Sequence, residues 1–270
     1  MELLQTDFRD SVLVEEATWQ AIIIIPKGGG EYHGIGIVGV ACKAVEVILN
    51  IRFTTSITYH NSLHGFRAGR GTGNTTLEVK ILQQVTAMRE VVLHVIFLDL
   101  HKLYNALDKS RCLEILEGYG VGPRVLRLLR RYWAQLQMVA RAGGYYGVPF
   151  CRERGVTQGE PLLPTILNVV VDTVVRYWES LLAGATGGQQ RGLRVRADDG
   201  GIEDPGKGQR EKAGRRGTFT VDSTSRVFNV GDGVLASTDT VWPHTAFDTL
   251  MGIFDQVGLR KNVRKTVGMV

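Results

Sequence analysis

The sequence predicts a mixed α/β (α+β) fold with an antiparallel sheet backed by helices, and three patterns predict it. Short, strongly apolar and β-branched runs at residues 22–25 and 91–98 have the length and composition of buried strands. Apolar residues recur at helical spacing, as in Leu77, Ile81, Val85 and Met88. Glycine-centred breaks at Gly143-Gly144 and within residues 226–237 are flanked by apolar residues and mark hairpins, whose strands are antiparallel by construction.

In chain order, residues 3–17 mix charge and apolar side chains and are expected to be a helix. The run 22–25 is closed by Pro26 and a triple glycine, Gly28 to Gly30, which reads as strand then turn. Residues 41–53 return to helical spacing, with Val45, Ile48 and Leu49 on one side. A helix over 75–89 follows, then the strand 91–98, which stops at Asp99 and so delivers a carboxylate at a strand end. Two short helices are expected near 110–119 and 123–133, a hairpin over 136–150, and a long apolar helix over 164–182. Residues 183–218 are rich in Gly, Arg, Lys, Asp and Glu, with almost no large apolar residue, and read as a flexible insertion. A second hairpin is expected over 226–237. Phe247, Leu250, Met251, Phe254 and Val257 then form a final amphipathic helix.

Composition narrows the function classes. A chain of 270 residues with 44% apolar content can bury a sizeable core. A net charge of +5 suits a polyanionic partner such as RNA or DNA, and equally a solvated basic surface. Cys42, Cys112 and Cys151 are odd in number and lack metal-ligand spacing, so an intracellular, reducing location is expected, nucleus and cytoplasm not being distinguished. Residues 1–10 are polar and acidic, unlike a signal peptide, and the run 22–25 is too short to cross a membrane.

Five segments carry a common pattern: the apolar run 22–25 with Pro26-Lys27 and His33; Gly65-Phe66-Arg67-Ala68-Gly69-Arg70; Phe97-Leu98-Asp99 with Tyr104 five residues on; Gln158-Gly159-Glu160-Pro161-Leu162-Leu163-Pro164 with Asn168; and Gly258-Leu259, Asn262 and Lys265-Thr266. In this order and spacing they resemble the reverse transcriptases of the non-LTR retrotransposon and group II intron type.

The resemblance implies a polymerase with a fingers-like part over residues 1–90 and a palm over 91–270. It implies RNA-templated DNA synthesis on an RNA template and DNA primer, with dNTP as substrate and two Mg²⁺ ions. Hard carboxylate ligands suit Mg²⁺, and two ions about 4 Å apart serve the attacking and leaving oxygens. By resemblance Asp99 and Asp232 are metal ligands and catalytic, and Lys265 donates a proton to pyrophosphate or neutralises it. Tyr104 gates the sugar, and Lys27, His33, Gln158 and Gly159 meet the nucleotide. Arg67 and Arg70 touch phosphates. Each also has a plainer reading: Asp99 as a strand-ending cap, Tyr104 as a core aromatic, Gln158-Gly159 as a turn, the basic residues as surface charge.

The chain departs from the family where two aspartates normally close the palm hairpin. The matching stretch is Phe228-Asn229-Val230-Gly231-Asp232, so Gly231 stands at the first aspartate and Asn229 at the tyrosine. Glycine offers no ligand, and a severe rate loss is expected. Asp198-Asp199 lacks the apolar flanks of a palm hairpin and is rejected as the motif. His33 replaces an arginine, Gly34 a proline, Asn105 an aspartate and Leu163 a serine. The chain stops soon after Lys265, so no thumb is expected. A non-catalytic nucleic-acid-binding remnant is therefore the alternative. Gly34-Ile35-Gly36-Ile37-Val38-Gly39 matches a dinucleotide-binding pattern, which is weak alone.

Overall fold

The structure is a computed structural model and describes residues 18–28, 31–88, 90–185, 194–195, 202–203, 226–237 and 242–270. The helix expected over 3–17 and the Asp198-Asp199 pair lie outside the described residues, as does most of the expected insertion. The chain forms two compact units, each assembled from separated segments: Met1–Thr58 with Lys102–Val170, and Tyr59–His101 with Val171–Val270.

The first unit holds a five-stranded sheet. Its central pair is β1 (Trp19–Gly28), antiparallel to β2 (Glu31–Val38) and parallel to β4 (Gln137–Ala142). β5 (Tyr145–Tyr146) and β6 (Phe150–Cys151) both pair with β4. The turn between β4 and β5 is Gly143-Gly144, both at positive φ, as a two-residue hairpin turn demands. β1 outruns the expected strand: it continues through Pro26 and Lys27, with a bulge between Pro26 and Gly28 that accommodates the missing proline N–H.

The helices of this unit are α1 (Val40–Ser56), the short α3 (Leu103–Ala106), α4 (Lys109–Gly118) and α5 (Pro123–Gln135). α4 starts where Asp108 caps it, accepting bonds from the N–H groups of Ser110 and Arg111 at 2.9 and 3.1 Å. α5 begins with Pro123, whose missing N–H costs nothing in a first turn. The buried stripe of α1 is Cys42, Glu46, Leu49 and Phe53; Ile48, expected inside, is exposed. Glu46 is buried because it finds polar company. Cys42 Sγ donates to Oε1 at 3.6 Å and the Leu162 N–H donates to Oε2 at 3.4 Å. Glu160, also buried, accepts from Gln20 Nε2 at 3.0 Å.

In the second unit, a four-stranded sheet runs in the order β11 (Val267–Met269), β3 (His94–Asp99), β10 (Asp232–Ser237), β9 (Arg226–Asn229). Every pairing in it is antiparallel. Val91 and Val92, expected in the strand, are exposed ahead of it. α2 (Thr72–Met88) covers the sheet with Leu82, which packs with Val95, Val234 and Ala236, joined by Val79, Ile81 and Val85. Leu77 and Met88 are exposed, so the buried face is rotated from the expected one. Thr86 lies on it and satisfies its hydroxyl by donating to the Leu82 carbonyl at 2.8 Å.

α6 (Leu163–Ala185) runs from the first unit into the second, where Trp178 meets Phe228 edge-on at 6.4 Å and donates to the Ala246 carbonyl at 2.8 Å. Arg226 lies over the same indole and pairs with Glu179 at 2.6 Å. α7 (Trp242–Gln256) ends at Gly258, whose φ of +81° lets the Leu259 N–H turn back to the Phe254 carbonyl. Between α6 and β9, β7 (Arg194–Val195) and β8 (Ile202–Glu203) form an antiparallel pair. Among the described residues no helix is long and apolar enough to cross a membrane.

The buried Glu46 and Glu160 make the first unit pH-sensitive. Burial raises Glu46 from 4.5 to about 7; burial and then the charge of Glu46 raise Glu160 to about 8. Both carboxyls hold their proton more tightly folded than unfolded. Their stabilising contribution is complete below about pH 4.5 and is lost as pH rises through about 7 to 8. Urea unfolding should show stability falling by on the order of a few kcal/mol between pH 6 and 9, with a shallower fall in Glu160→Gln.

Candidate active site

The carboxylate edge is built by the second unit's sheet. Asp99, the last residue of β3, is the direct register partner of Asp232, the first of β10. Facing residues of antiparallel strands have Cα atoms roughly 4.5–5.5 Å apart, with side chains on the same face. A two-residue turn, Val230-Gly231, joins β9 to β10. Val230 takes it at φ +57°, a strained conformation for a β-branched residue. The Gly231 carbonyl accepts the Leu100 N–H at 2.8 Å, tying the turn to the end of β3.

The segment ahead of α2 braces this hairpin. Phe228 donates to the Ser62 carbonyl at 2.7 Å and accepts from the His64 N–H at 2.8 Å. Gly65 lies so close that a Cβ there would stand 2.5 Å from Asn229 Oδ1 and 2.6 Å from Val230 Cγ2. Arg67 donates to the carbonyls of His60 and Leu63 at 2.9 and 2.7 Å and lies over Tyr59. Arg70 donates to the Asn61 carbonyl at 2.6 Å. Both arginines thus clasp their own loop, a use of the motif that sequence reasoning did not assign.

The closing segment orients Asp99. Asn262 donates its backbone N–H to the Asp99 carbonyl at 2.7 Å and its side-chain Nδ2 to Asp99 Oδ2 at 2.6 Å. The Asp99 N–H points to Thr266 Oγ1 at 3.4 Å. Lys265 is exposed, and its N–H donates to the Asn262 carbonyl at 3.1 Å. Sequence reasoning named Asn262 without a role. Its place in the closing motif was the available signal, since an amide can donate to a carboxylate while adding no charge.

The Asp232 carboxyl is raised above its ordinary 3.8 by burial, then by a hydrogen bond with Asp99 and by that group's charge; Lys265 opposes the rise. Asp232 therefore senses both Asp99 and Lys265. Among the described residues no group of three or more His, Cys, Asp or Glu is placed to hold a metal ion.

The remaining residues expected to meet nucleotide lie in the first unit. Lys27 and His33 are exposed on β1 and β2, Lys27 at the bulge and His33 opposite Ile25. Tyr104, in α3, is half-buried, which raises its phenol pKa, and its carbonyl accepts the Val156 N–H at 2.7 Å. Gln158 accepts the Gly36 N–H at 2.6 Å. Gly159 has φ +119°, and a Cβ there would stand 2.3 Å from the Gly36 carbonyl oxygen, so close backbone packing requires this glycine. Gly34 and Gly36 lie inside β2, antiparallel to β1, which removes the dinucleotide-binding reading.

Residues 25–194 match the family model described as reverse transcriptase (RNA-dependent DNA polymerase). The chain belongs to that family. It is 22% identical over 169 residues to the Pol polyprotein of the type-2 retrotransposable element R2DM of Drosophila melanogaster, covering 63% of this chain and 16% of that protein. Over 191 residues it is 23% identical to the Pol polyprotein of the type-1 element R2 of Popillia japonica, covering 67% of this chain and 27% of that one. The chain thus spans under a third of either relative. In fold it is similar to apo telomerase from Candida tropicalis, with a TM-score of 0.59 at 12% identity, covering 99% of this chain and 48% of that one. The telomerase of Candida albicans in complex with a fragment of telomeric RNA gives 0.59 at 12% identity, covering 100% and 45%.

Two measurements check the edge. In carbon-detected NMR titrations, Asp99→Asn should bring the Asp232 pKa down toward 3.8. Gly65→Ala should lose about 1–3 kcal/mol of stability through overpacking on the hairpin. Gly71→Ala, which meets nothing within 4 Å, should not.

Proposed function

We propose that this chain is the RNA-templated DNA-synthesis domain of a non-LTR retroelement, built for two-metal nucleotidyl transfer and impaired in that chemistry by Gly231. The observation that carries the proposal is the facing of Asp99 and Asp232 beside a turn whose corner lacks a carboxylate.

Mg²⁺ is commonly held by one or two carboxylates plus substrate phosphates and water. Asp99, oriented by Asn262, and Asp232, which faces it across the ladder, offer two carboxylates that fit one such ion. When bound, it would supply charge to phosphate oxygens and activate a primer 3′-hydroxyl. A second ion asks for a bridging carboxylate; Gly231 has none, and its carbonyl is engaged by Leu100.

The chain's own residues then have these roles. Asn262 holds Asp99 in one rotamer. Lys265 neutralises pyrophosphate or gives it a proton. Tyr104 stacks under the sugar of the dNTP, Gln158 and Gly159 present backbone and amide to the base pair, and Lys27 and His33 meet the triphosphate. RNA template and DNA primer are the partners, consistent with the telomeric RNA of one structural neighbour. The substitution at residue 231 also favours a second reading, a remnant that binds nucleic acid without polymerising.

Primer extension on an RNA template with Mg²⁺ separates the readings. Gly231→Asp should extend a primer on the order of 10²-fold faster than the unmodified chain, and Asp99→Ala should not extend it. Extension by the unmodified chain as fast as by Gly231→Asp, and abolished by Asp99→Ala, would overturn the assignment of Gly231 as disabling. No extension by any of the three would favour the remnant.

A further inference from the structure

Helix α5 carries Arg124, Arg127, Arg130 and Arg131 and no acidic residue. At 3.6 residues per turn these four fall within an arc of about 120°. Leu126, Leu128, Leu129, Tyr132 and Trp133 are buried on the opposite face. Like charges three and four residues apart repel, and surface helices ordinarily interleave acids among them.

Among the described residues, most of the other arginines are engaged. Arg67 and Arg70 hold carbonyls, Arg152 reaches Asn105 and the Val156 carbonyl, and Arg111, Arg154, Arg176, Arg226 and Arg260 pair with carboxylates. Arg131 has an interaction of its own. Among the described residues, Arg124, Arg127 and Arg130 have none, and all three are exposed.

One residue after α5 ends, β4 begins, and its hairpin with β5 exposes Tyr145 at 83% and Tyr146 at 63%. Arg141 lies 5.4 Å from the Tyr146 ring centroid, fixing a guanidinium beside an open aromatic ring.

We propose that the arginine face of α5 and the tip of the β4–β5 hairpin form a docking surface for single-stranded RNA. Guanidinium forks match phosphate oxygens, and arginine is the side chain that does this bidentately. Exposed tyrosine rings stack bases without regard to sequence, and only unpaired bases offer their faces. An acidic peptide would use the arginines and leave the tyrosines idle. None of these residues belongs to the carboxylate edge or to the set assigned to nucleotide. The docking surface therefore stands whether or not the chain polymerises.

The test is fluorescence anisotropy of a labelled oligouridine of about 20 nucleotides, longer than a single stacking platform requires, titrated with the full chain over a range of salt. The triple variant Arg124→Gln/Arg127→Gln/Arg130→Gln should bind at least tenfold more weakly. Its log–log salt slope should be shallower by about 2, three contacts at roughly 0.7 each. Tyr145→Ala/Tyr146→Ala should weaken binding about tenfold with the slope unchanged. Unaltered binding by either variant overturns the proposal, and so does equal binding of duplex RNA or polyglutamate by the unmodified chain. Should a variant misfold, phenylglyoxal labelling of the unmodified chain decides. Oligouridine should protect Arg124, Arg127 and Arg130 severalfold, and equal labelling with and without RNA would refute the surface.

Discussion

Everything at the carboxylate edge follows from one hydrogen-bond register, in which β10 lies antiparallel to β3 so that Asp232 faces Asp99. A slip of one residue would send Asp232 to the other face of the sheet. Several constraints hold the register from independent directions. The turn is only two residues long, and its first residue, Val230, is held left-handed at a cost on the order of 1–3 kcal/mol. That strain persists because the surroundings determine it. Phe228 is buried under Trp178 and laced to Ser62 and His64, Gly65 fills the space beneath the turn, and Leu100 holds the Gly231 carbonyl. Burial of an aromatic side chain the size of Phe228 contributes about 1.5–3 kcal/mol, enough to offset the strain.

The same economy of space explains the glycines of the motif preceding α6. At Gly155 a Cβ would stand 2.4 Å from the Asn105 carbonyl oxygen, and at Gly159 it would stand 2.3 Å from that of Gly36. These glycines fit backbone against backbone within the first unit, and they position Gln158 as a consequence. These glycines therefore serve the scaffold of the first unit, whereas Asp99 and Asp232 are carried by the second.

Much of this was legible in the sequence, and the failures have physical causes. The hairpin at residues 226–237 was readable because apolar residues flank a glycine at close range, and Asp99 was readable as the polar stop of an apolar run. Local pattern could not show that Glu46 is buried, because beside the nearby Cys42 its partner is the Leu162 N–H, more than a hundred residues away. It misjudged the face of α2 because Thr86 satisfies its own hydroxyl and counts as core, while Leu77 does not. The parallel pairing of β1 with β4 is non-local and leaves no periodicity. Three residues suffice for β11, too few to carry a signal. At the site, the aspartates were found by motif and spacing, whereas the bracing roles of Asn262, Gly65 and Arg67 depend on neighbours that only the folded chain supplies.

The ladder of the second sheet also orders events in time. β3 is made early, yet both of its partners, β10 and β11, come from more than 130 residues downstream. A ribosome adding about 5–20 residues per second leaves β3 without either neighbour for roughly 7–30 s. Throughout that interval Val95, Ile96 and Leu98 belong to an apolar strand with two open edges, the form most prone to pair with the wrong chain. Yield of soluble protein from such a chain is then governed by how it is sheltered during synthesis, by chaperones or by slow expression at low temperature, more than by the stability of the finished fold.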